Sequence, residues 1–214
     1  MAGLLDTVPA DAWHAFTWLG DSALMLPLSL LIALGLLLSR DGRRAAFAWC
    51  LAFGAGSGLI LLSKLAFLGW GIGSARWDFT GFSGHTAIGT SVWSALLWLA
   101  CARGSARARA LALGAGWCLG AAIGVSRLAL HAHSVSEVAA GLLLGMAVSL
   151  GFVGLARRHA PPRLPWVAWL GGLLLPLLFL SPGRPAPTQG LLETVAVRLA
   201  GIERPFTRSD LQAL

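Results

Sequence analysis

Six apolar segments, each of about 20 residues, occupy most of this chain and limit what it can fold into. A helix of that length crosses the hydrocarbon core of a bilayer. Hydrophobic residues make up 57% of the 214 residues and charged residues only 12%, about half the charged share of a soluble domain. We therefore predict an all-α membrane protein, folded as a bundle of six transmembrane helices. The predicted spans lie near residues 20–39, 46–69, 85–102, 108–126, 135–156 and 164–181.

Arginines between the apolar segments predict the orientation of the bundle. Clusters follow the first, third and fifth predicted spans, and loops rich in Lys and Arg face the cytoplasm. We therefore predict a multi-pass protein of the bacterial inner membrane, with both termini and the loops at 70–84 and 127–134 in the periplasm. Four arginines in the C-terminal tail oppose this orientation. The cytoplasmic clusters are Arg40, Arg43 and Arg44; Arg103, Arg107 and Arg109; and Arg157, Arg158 and Arg163, and the tail arginines are Arg184, Arg198, Arg204 and Arg208.

This map divides the chain into three parts. Residues 1–19 form a periplasmic N-terminal segment, residues 20–181 form the membrane domain, and residues 182–214 form a periplasmic C-terminal tail. Mixed apolar and polar stretches at 4–18 and 191–199 favour short helices in the membrane interface. Bilayer lipids are the expected partners, and no protein partner is predicted.

The net charge of +7 does not indicate a nucleic-acid-binding protein. The basic residues form short clusters between apolar runs, rather than a basic patch with interleaved aromatic residues. Cys50, Cys101 and Cys118 all lie inside apolar runs, without a CxxC pair. They are typical of small core residues rather than of a disulfide framework or a metal site.

Two ionisable residues lie at predicted membrane depth. Lys64 is the only lysine in the chain, and Glu137 is the only carboxylate between residues 79 and 192. Such groups cost a few kcal/mol to insert into a bilayer, so they are candidates for function. For Lys64, the alternative is a side chain whose ammonium group extends to the interface.

The two outward loops bring further polar residues to the same side of the membrane. One leads into Thr80-Gly-Phe-Ser-Gly-His-Thr86, and the other runs from Ser126 to Glu137. Cations and imidazoles around one carboxylate predict an anion-binding site with acid–base capacity. The gathered residues are Lys64, Arg76, His85, Arg127, His131, His133 and Glu137.

Local spacing favours phosphate as the anion. Ser83, Gly84 and His85 directly precede an apolar helix, whose first backbone N–H groups can bind an anion. His133 and Glu137 are four residues apart, so Glu137 can accept a hydrogen bond from the imidazole and fix its tautomer. A zinc site is the alternative use of these histidines, but it needs three or four close ligands without competing arginines.

These residues resemble the signatures of the type 2 phosphatidic acid phosphatase family. Ser126-Arg127, five residues, His133, three residues and Glu137 resemble SRxxxxxHxxxD, and Phe82-Ser-Gly-His85 resembles PSGH. Lys64 corresponds to the lysine that opens KxxxxxxRP. The resemblance covers roughly residues 46–155, and it implies a metal-independent, cofactor-free phosphohydrolase of the cell envelope that works through a phosphohistidine.

The resemblance also implies a role for each matching residue. His133 is the expected nucleophile, Glu137 its orienting partner, and His85 the acid that protonates the leaving oxygen. The expected phosphate-binding residues are Lys64, Ser83, Gly84 and Arg127. His131 is excluded from the motif by its spacing and is expected at the rim of the pocket.

The sequence departs from the family pattern in three ways. Glu137 replaces an aspartate, and Phe82 replaces a proline. Gly71 and Ile72 stand where Arg-Pro is expected, which leaves Arg76 either as a displaced phosphate-binding arginine or as a solvated loop charge.

The expected substrate is the phosphate or diphosphate of a membrane lipid: undecaprenyl diphosphate, phosphatidylglycerophosphate or a lipid A phosphate. Undecaprenyl diphosphate is favoured by its prevalence in the family and by no residue of this chain. The sequence leaves two alternatives open. A lipid phosphotransferase would use the same site, and a non-catalytic transporter or structural bundle would keep only the fold.

Overall fold

A computed structural model describes residues 8–39, 41–156 and 188–213 of the chain. Within these ranges the protein is helical, with a single isolated β-bridge between Ser74 and Phe79, which confirms the all-α prediction. Short 3₁₀ turns lie at Trp18–Gly20 and Ala75–Trp77. The helices are α1 Ala10–Thr17, α2 Ser22–Leu37, α3 Arg43–Trp70, α4 Gly84–Ala100, α5 Ala106–Ala129, α6 Val135–Ala156, α7 Thr188–Ala200 and α8 Arg208–Gln212.

Four segments of the described chain are long and apolar enough to cross a membrane: Ala10–Leu37, Arg43–Trp70, Ala106–Ala129 and Val135–Ala156. They contain the first, second, fourth and fifth predicted spans almost entirely, so the protein is a membrane protein. The third predicted span corresponds to α4, which has 17 residues. The sixth lies outside the described residues, and the count of six spans is therefore not confirmed.

Helix α4 lies at the centre of the bundle and packs against α5 and α6. Its hydroxyl residues Thr86, Thr90 and Ser94 are fully buried. Gly120 of α5 faces α4 so closely that a Cβ atom there would overlap the Thr90 side chain. Small residues at such a crossing let two membrane helices approach, which explains how α5 holds its position against α4.

A cluster of aromatic residues packs the end of the bundle that is distant from His85. The rings of Trp49 and Trp98 lie 5.3 Å and 5.7 Å from the ring of Phe152, with edge-to-face geometry. All three side chains are buried. Trp98 follows His85 by 13 residues on α4, which is about 20 Å of helix. The aromatic cluster therefore stabilises the bundle without contacting the end where His85 lies.

At the opposite end, the last turns of α3 and α5 meet the first turns of α4 and α6. Gly141 of α6 allows this approach, because a Cβ atom there would lie 2.8 Å from the carbonyl oxygen of Ser83. Both terminal segments also pack at this end. The Phe206 N–H donates to the Leu68 carbonyl at 2.9 Å, and Leu211 is buried in a small cluster with Phe67 and Ala196.

Candidate active site

A cavity of about 580 Å³ opens at the end of the bundle where these helices meet. Its polar part brings together five side chains from five helices or loops: Lys64, His85, Arg127, His133 and Arg208. Asp21, Thr80, Gly81 and Gly84 also line it. The structure therefore brings Lys64, Gly84, His85, Arg127 and His133 of the sequence-predicted group to one cavity.

His133 and Glu137 form the pair that their spacing predicts. Nδ1 of His133 lies 2.7 Å from Oε2 of Glu137, whose side chain is fully buried. Because Nδ1 is engaged by the carboxylate, Nε2 is the ring nitrogen left for chemistry. Burial lowers the pKa of His133 from 6.5, and the charges of Lys64 and Arg127 act in the same direction; the hydrogen bond and charge of Glu137 oppose this only in part. The imidazole is therefore neutral at neutral pH.

The Glu137 carboxylate is held on both oxygens. Oε1 accepts hydrogen bonds from the backbone N–H and the hydroxyl of Thr80. Oε2 accepts from the Ser134 N–H at 3.1 Å as well as from His133. Nη2 of Arg208 lies 2.9 Å from each oxygen. With this many donors, the carboxylate has a fixed position despite its additional methylene group.

A tight turn after α5 directs His133 back toward the cavity. The Ala132 N–H donates to the Arg127 carbonyl at 3.0 Å, and His131 adopts a left-handed conformation with φ of 51°. This pairing ends the helix as a Schellman motif does. His131 itself is exposed and does not line the cavity, so its contribution is the shape of the turn.

His85 has a carboxylate partner that the sequence motifs do not contain. Its Nε2 lies 3.3 Å from Oδ2 of Asp21, and Asp21 is 4% exposed. The other oxygen of Asp21 accepts from the Ala23 N–H and caps the first turn of α2. In the sequence, Asp21 is recognisable only as a helix N-cap, and nothing there links it to His85.

Lys64 and Arg127 supply positive charge to the cavity. Nη1 of Arg127 donates to the Thr17 hydroxyl at 3.2 Å, while its buried Nε has no hydrogen-bond partner within the described part of the chain. A buried, unpaired N–H of a guanidinium group is costly, and an anion in the cavity would satisfy it.

Ser83 and Gly84 occupy different environments. Gly84 is the first residue of α4 and lines the cavity, so its N–H is available to an anion there. Ser83 is fully buried: its N–H donates to the Glu137 carbonyl at 3.1 Å, and its hydroxyl pairs with that of Thr86 at 2.9 Å. The structure therefore uses Ser83 to join α4 to α6 and does not bring it to the cavity.

The structure places Arg76 outside the cavity and Arg208 inside it. Arg76 is exposed and its guanidinium lies 5.5 Å from the centre of the Trp77 ring. Arg208 reaches the cavity wall from α8 and pairs with Asp78 as well as with Glu137. Phosphate binding by Arg76 stays a prediction that this geometry does not support.

No group of three or more His, Cys, Asp or Glu side chains is positioned to hold a metal ion among residues 8–39, 41–156 and 188–213. Instead, Asp21 pairs with the imidazole of His85, and Glu137 pairs with the imidazole of His133. Each imidazole therefore keeps one ring nitrogen for proton transfer or nucleophilic attack.

Comparison with known proteins relates these residues to a family. Residues 63–160 match the PAP2 superfamily. The chain is 42% identical over 203 residues to a Klebsiella pneumoniae protein described as "Uncharacterized 22.5 kDa protein in cps region", across 93% of this chain and 97% of the relative. No solved structure matches it. The matched family range contains Lys64, His85, Arg127 and the His133–Glu137 pair, whereas Asp21 and Arg208 lie outside it.

Proposed function

This chain belongs to the PAP2 superfamily, and on that premise we propose that it is a membrane lipid phosphatase that transfers a phosphoryl group first to His133 and then to water. The substrate is the phosphate or diphosphate monoester of a membrane lipid, with undecaprenyl diphosphate, phosphatidylglycerophosphate and a lipid A phosphate as candidates. The observation that carries the proposal is the His133–Glu137 pair at the polar end of a cavity whose other part is apolar.

The cavity lining supports a lipid rather than a soluble phosphate. Beyond the charged residues, apolar side chains of four helices line the cavity, and two of them, Leu26 and Leu61, are 45% and 44% exposed. A lipid phosphate has the same division, with a charged headgroup and a long apolar chain that can extend into the bilayer. The apolar lining consists of Leu26 of α2; Ile60, Leu61, Phe67 and Leu68 of α3; Ile88 of α4; Ala132 of the turn after α5; and Leu191 and Leu192 of α7.

The reaction proceeds in two balanced steps. Nε2 of His133 attacks phosphorus, and the P–N bond forms as the bond from phosphorus to the lipid oxygen breaks. His85 donates a proton to that leaving oxygen. Water then attacks the phosphohistidine, His85 accepts its proton, and the P–N electron pair returns to His133 as phosphate leaves. One water molecule is consumed in each cycle.

Positive charge around the cavity stabilises the transferring group. Lys64, the unpaired Nε of Arg127 and the N–H of Gly84 provide donors from three different helices. Phosphoryl transfer depends mainly on such positioning and on stabilisation of the equatorial oxygens. By the positive-inside orientation, the site would act on headgroups at the periplasmic face of the inner membrane.

Asp21→Asn is expected to lower kcat for lipid phosphates by about 10- to 100-fold. Asparagine still caps α2 but removes the charge beside Nε2 of His85, so protonation of the leaving oxygen becomes slower. Phosphate release from a lipid and from p-nitrophenyl phosphate should be compared, because nitrophenolate needs little protonation and should be affected less.

The matched control for this prediction is Asp11→Asn, since Asp11 is exposed on α1. Equal losses for both substrates would contradict a role of Asp21 in leaving-group protonation, and so would an unchanged rate for the lipid.

The acid limb of kcat/KM is expected below pH 6.5. His133 attacks only as the neutral imidazole, and its lowered pKa keeps it neutral at pH 6.5; activity is lost only as the pH falls through that lowered pKa. Lys64→Met removes a cation that lowers this pKa, so the limb should move to higher pH. Ionisation of the substrate affects the wild type and Lys64→Met equally, so it cannot shift one profile against the other. Acid limbs at the same pH in the two enzymes would contradict the assignment of this limb to His133.

The proposed function is tested by phosphate release from detergent-purified protein in the presence of EDTA. The panel contains undecaprenyl diphosphate, phosphatidylglycerophosphate, phosphatidic acid and lipid A. We expect release from at least one lipid, and its absence from the whole panel would contradict the proposal. Addition of lipid acceptors distinguishes hydrolysis from phosphotransfer, because transfer would yield a new phosphorylated lipid in place of free phosphate.

A further inference from the structure

Arg208 connects the C-terminal segment to the buried carboxylate of the site. Its Nη2 lies 2.9 Å from both oxygens of Glu137, its Nη1 lies 2.5 Å from Oδ2 of Asp78, and Nη1 also donates to the Asp78 carbonyl at 3.2 Å. The residue is 71 positions from Glu137 in the sequence. The contact therefore depends on how residues 202–213 pack onto the bundle.

The segment that carries Arg208 has its own anchors. Phe206 donates its N–H to the Leu68 carbonyl, and Leu211 is 5% exposed in a cluster with Phe67 and Ala196. Thr207 and Asp210 form a capping box that fixes the start of α8 at Arg208. These contacts present the guanidinium to the cavity from a defined helix end.

The arrangement around Arg208 is that of a residue that holds another side chain. Both terminal nitrogens are already engaged by carboxylate or carbonyl oxygens. Burial disfavours its charge, but the carboxylates of Glu137 and Asp78 outweigh burial and raise the pKa of Arg208. A permanently charged guanidinium held in this way compensates the buried Glu137 and leaves phosphate binding to Lys64 and Arg127.

We propose that Arg208 is a positioning residue, which fixes Glu137 in the conformation that accepts the hydrogen bond from His133, and that the site is complete only when the C-terminal segment is docked. This inference rests on the proposed phosphatase function. Glu137 has one more rotatable bond than an aspartate, and Arg208 and Thr80 together restrict that additional freedom. Without the guanidinium, Glu137 loses the cation that pairs with both of its oxygens and keeps only its hydrogen bonds with Thr80, Ser134 and His133.

The test compares Arg208→Gln and Arg208→Lys with Arg198→Gln, whose parent residue is exposed on the neighbouring helix α7. On a lipid that the wild-type enzyme hydrolyses, Arg208→Gln should lower kcat by about 10- to 100-fold, the same range as for removal of a hydrogen-bond partner that orients a metal-ligating side chain. KM should change by less than about threefold, because the guanidinium does not contact the substrate. Arg208→Lys should restore part of kcat, and Arg198→Gln should match the wild type.

Two outcomes of this kinetic comparison would overturn the proposal. One is an unchanged kcat in Arg208→Gln, and the other is a raised KM with unchanged kcat, which would indicate direct contact with the substrate. A wild-type enzyme that releases no phosphate from any lipid contradicts the phosphatase function, and this result is visible before any Arg208 variant is assayed.

Docking of the segment is measured without activity by hydrogen–deuterium exchange of residues 202–213 in the intact protein. Glu137→Gln removes the charge that Arg208 pairs with, and we expect faster exchange of these amides than in the wild type. Arg198→Gln should leave the exchange unchanged. Equal protection in Glu137→Gln and the wild type would show that the ion pair does not couple the segment to the site, and the proposal would fail on that ground alone.

Discussion

His133→Ala is expected to lower kcat by at least about 10⁴-fold, because it removes the atom that receives the phosphoryl group. Alanine leaves a space at the cavity wall without a buried charge mismatch, since Glu137 keeps its bonds to Thr80, Ser134 and Arg208. The variant should therefore be purified in the same yield as the wild type. Phosphate release from the preferred lipid, measured over a range of enzyme concentrations, gives the rate.

His131→Asn is the matched control for this loss. It replaces a histidine two residues away, which is exposed and has φ of 51°, a conformation that asparagine tolerates. Its activity should stay within about twofold of the wild type. Substantial turnover by His133→Ala would remove the phosphohistidine mechanism, whatever the behaviour of the control.

Glu137→Gln is expected to lower kcat by about 10³- to 10⁴-fold, the range seen when the carboxylate that orients a catalytic histidine is neutralised. The amide can present the wrong hydrogen-bonding group to Nδ1 of His133, and it no longer stabilises the imidazolium or its phosphorylated form. The variant also leaves the Arg208 guanidinium beside a neutral group, so its stability must be measured together with kcat.

Glu137→Asp tests the length of the side chain at constant charge. Aspartate keeps the charge but is one methylene shorter, so it retains the pairing with His133 only after a small movement of α6. We expect its kcat to lie at least about tenfold above that of Glu137→Gln. Equal rates for the Asp and Gln variants would show that the charge of residue 137 does not orient the nucleophile.

Three of the residues predicted from local spacing, His85, His133 and Glu137, lie at the same end of the bundle in the structure. His133 and Glu137 are four residues apart, and His85 lies in the first turn of a helix, so short-range geometry is enough to relate them. Lys64 is predicted from a different consideration, which is the cost of placing charge at membrane depth, and Arg127 from its position in the outward loop at 127–134. The orientation predicted from the loop arginines places all five residues at the same end of the bundle. The five are Lys64, His85, Arg127, His133 and Glu137.

Asp21 and Arg208 were not predicted because their partners are distant in sequence. Asp21 is 64 residues from His85 and Arg208 is 71 from Glu137, and each contact depends on the packing of a terminal segment. In the sequence, Arg208 is one of four tail arginines, and its charge there bears only on the predicted orientation. The missing Arg-Pro after Lys64 indicated that a cation was absent from its usual place, but the tail sequence does not show where α8 packs.

Ser83 shows a different limit of sequence reasoning. Its position before a helix favours anion binding, yet its N–H is used by the Glu137 carbonyl and its hydroxyl by Thr86. Which of two adjacent residues faces a cavity depends on the rotation of α4 against α6. That rotation depends on the close approach of Gly141 to Ser83. The order of residue types in the sequence does not reveal this contact.

Trapping the phosphohistidine intermediate shows whether His133 carries the phosphoryl group. A ³²P-labelled lipid substrate is mixed with the enzyme for a single turnover and quenched in alkali, which preserves phosphohistidine. We predict label on the peptide that contains His133 in the wild type, and none in His133→Ala. An enzyme that turns over without labelled protein, or label that persists in His133→Ala, would contradict the account.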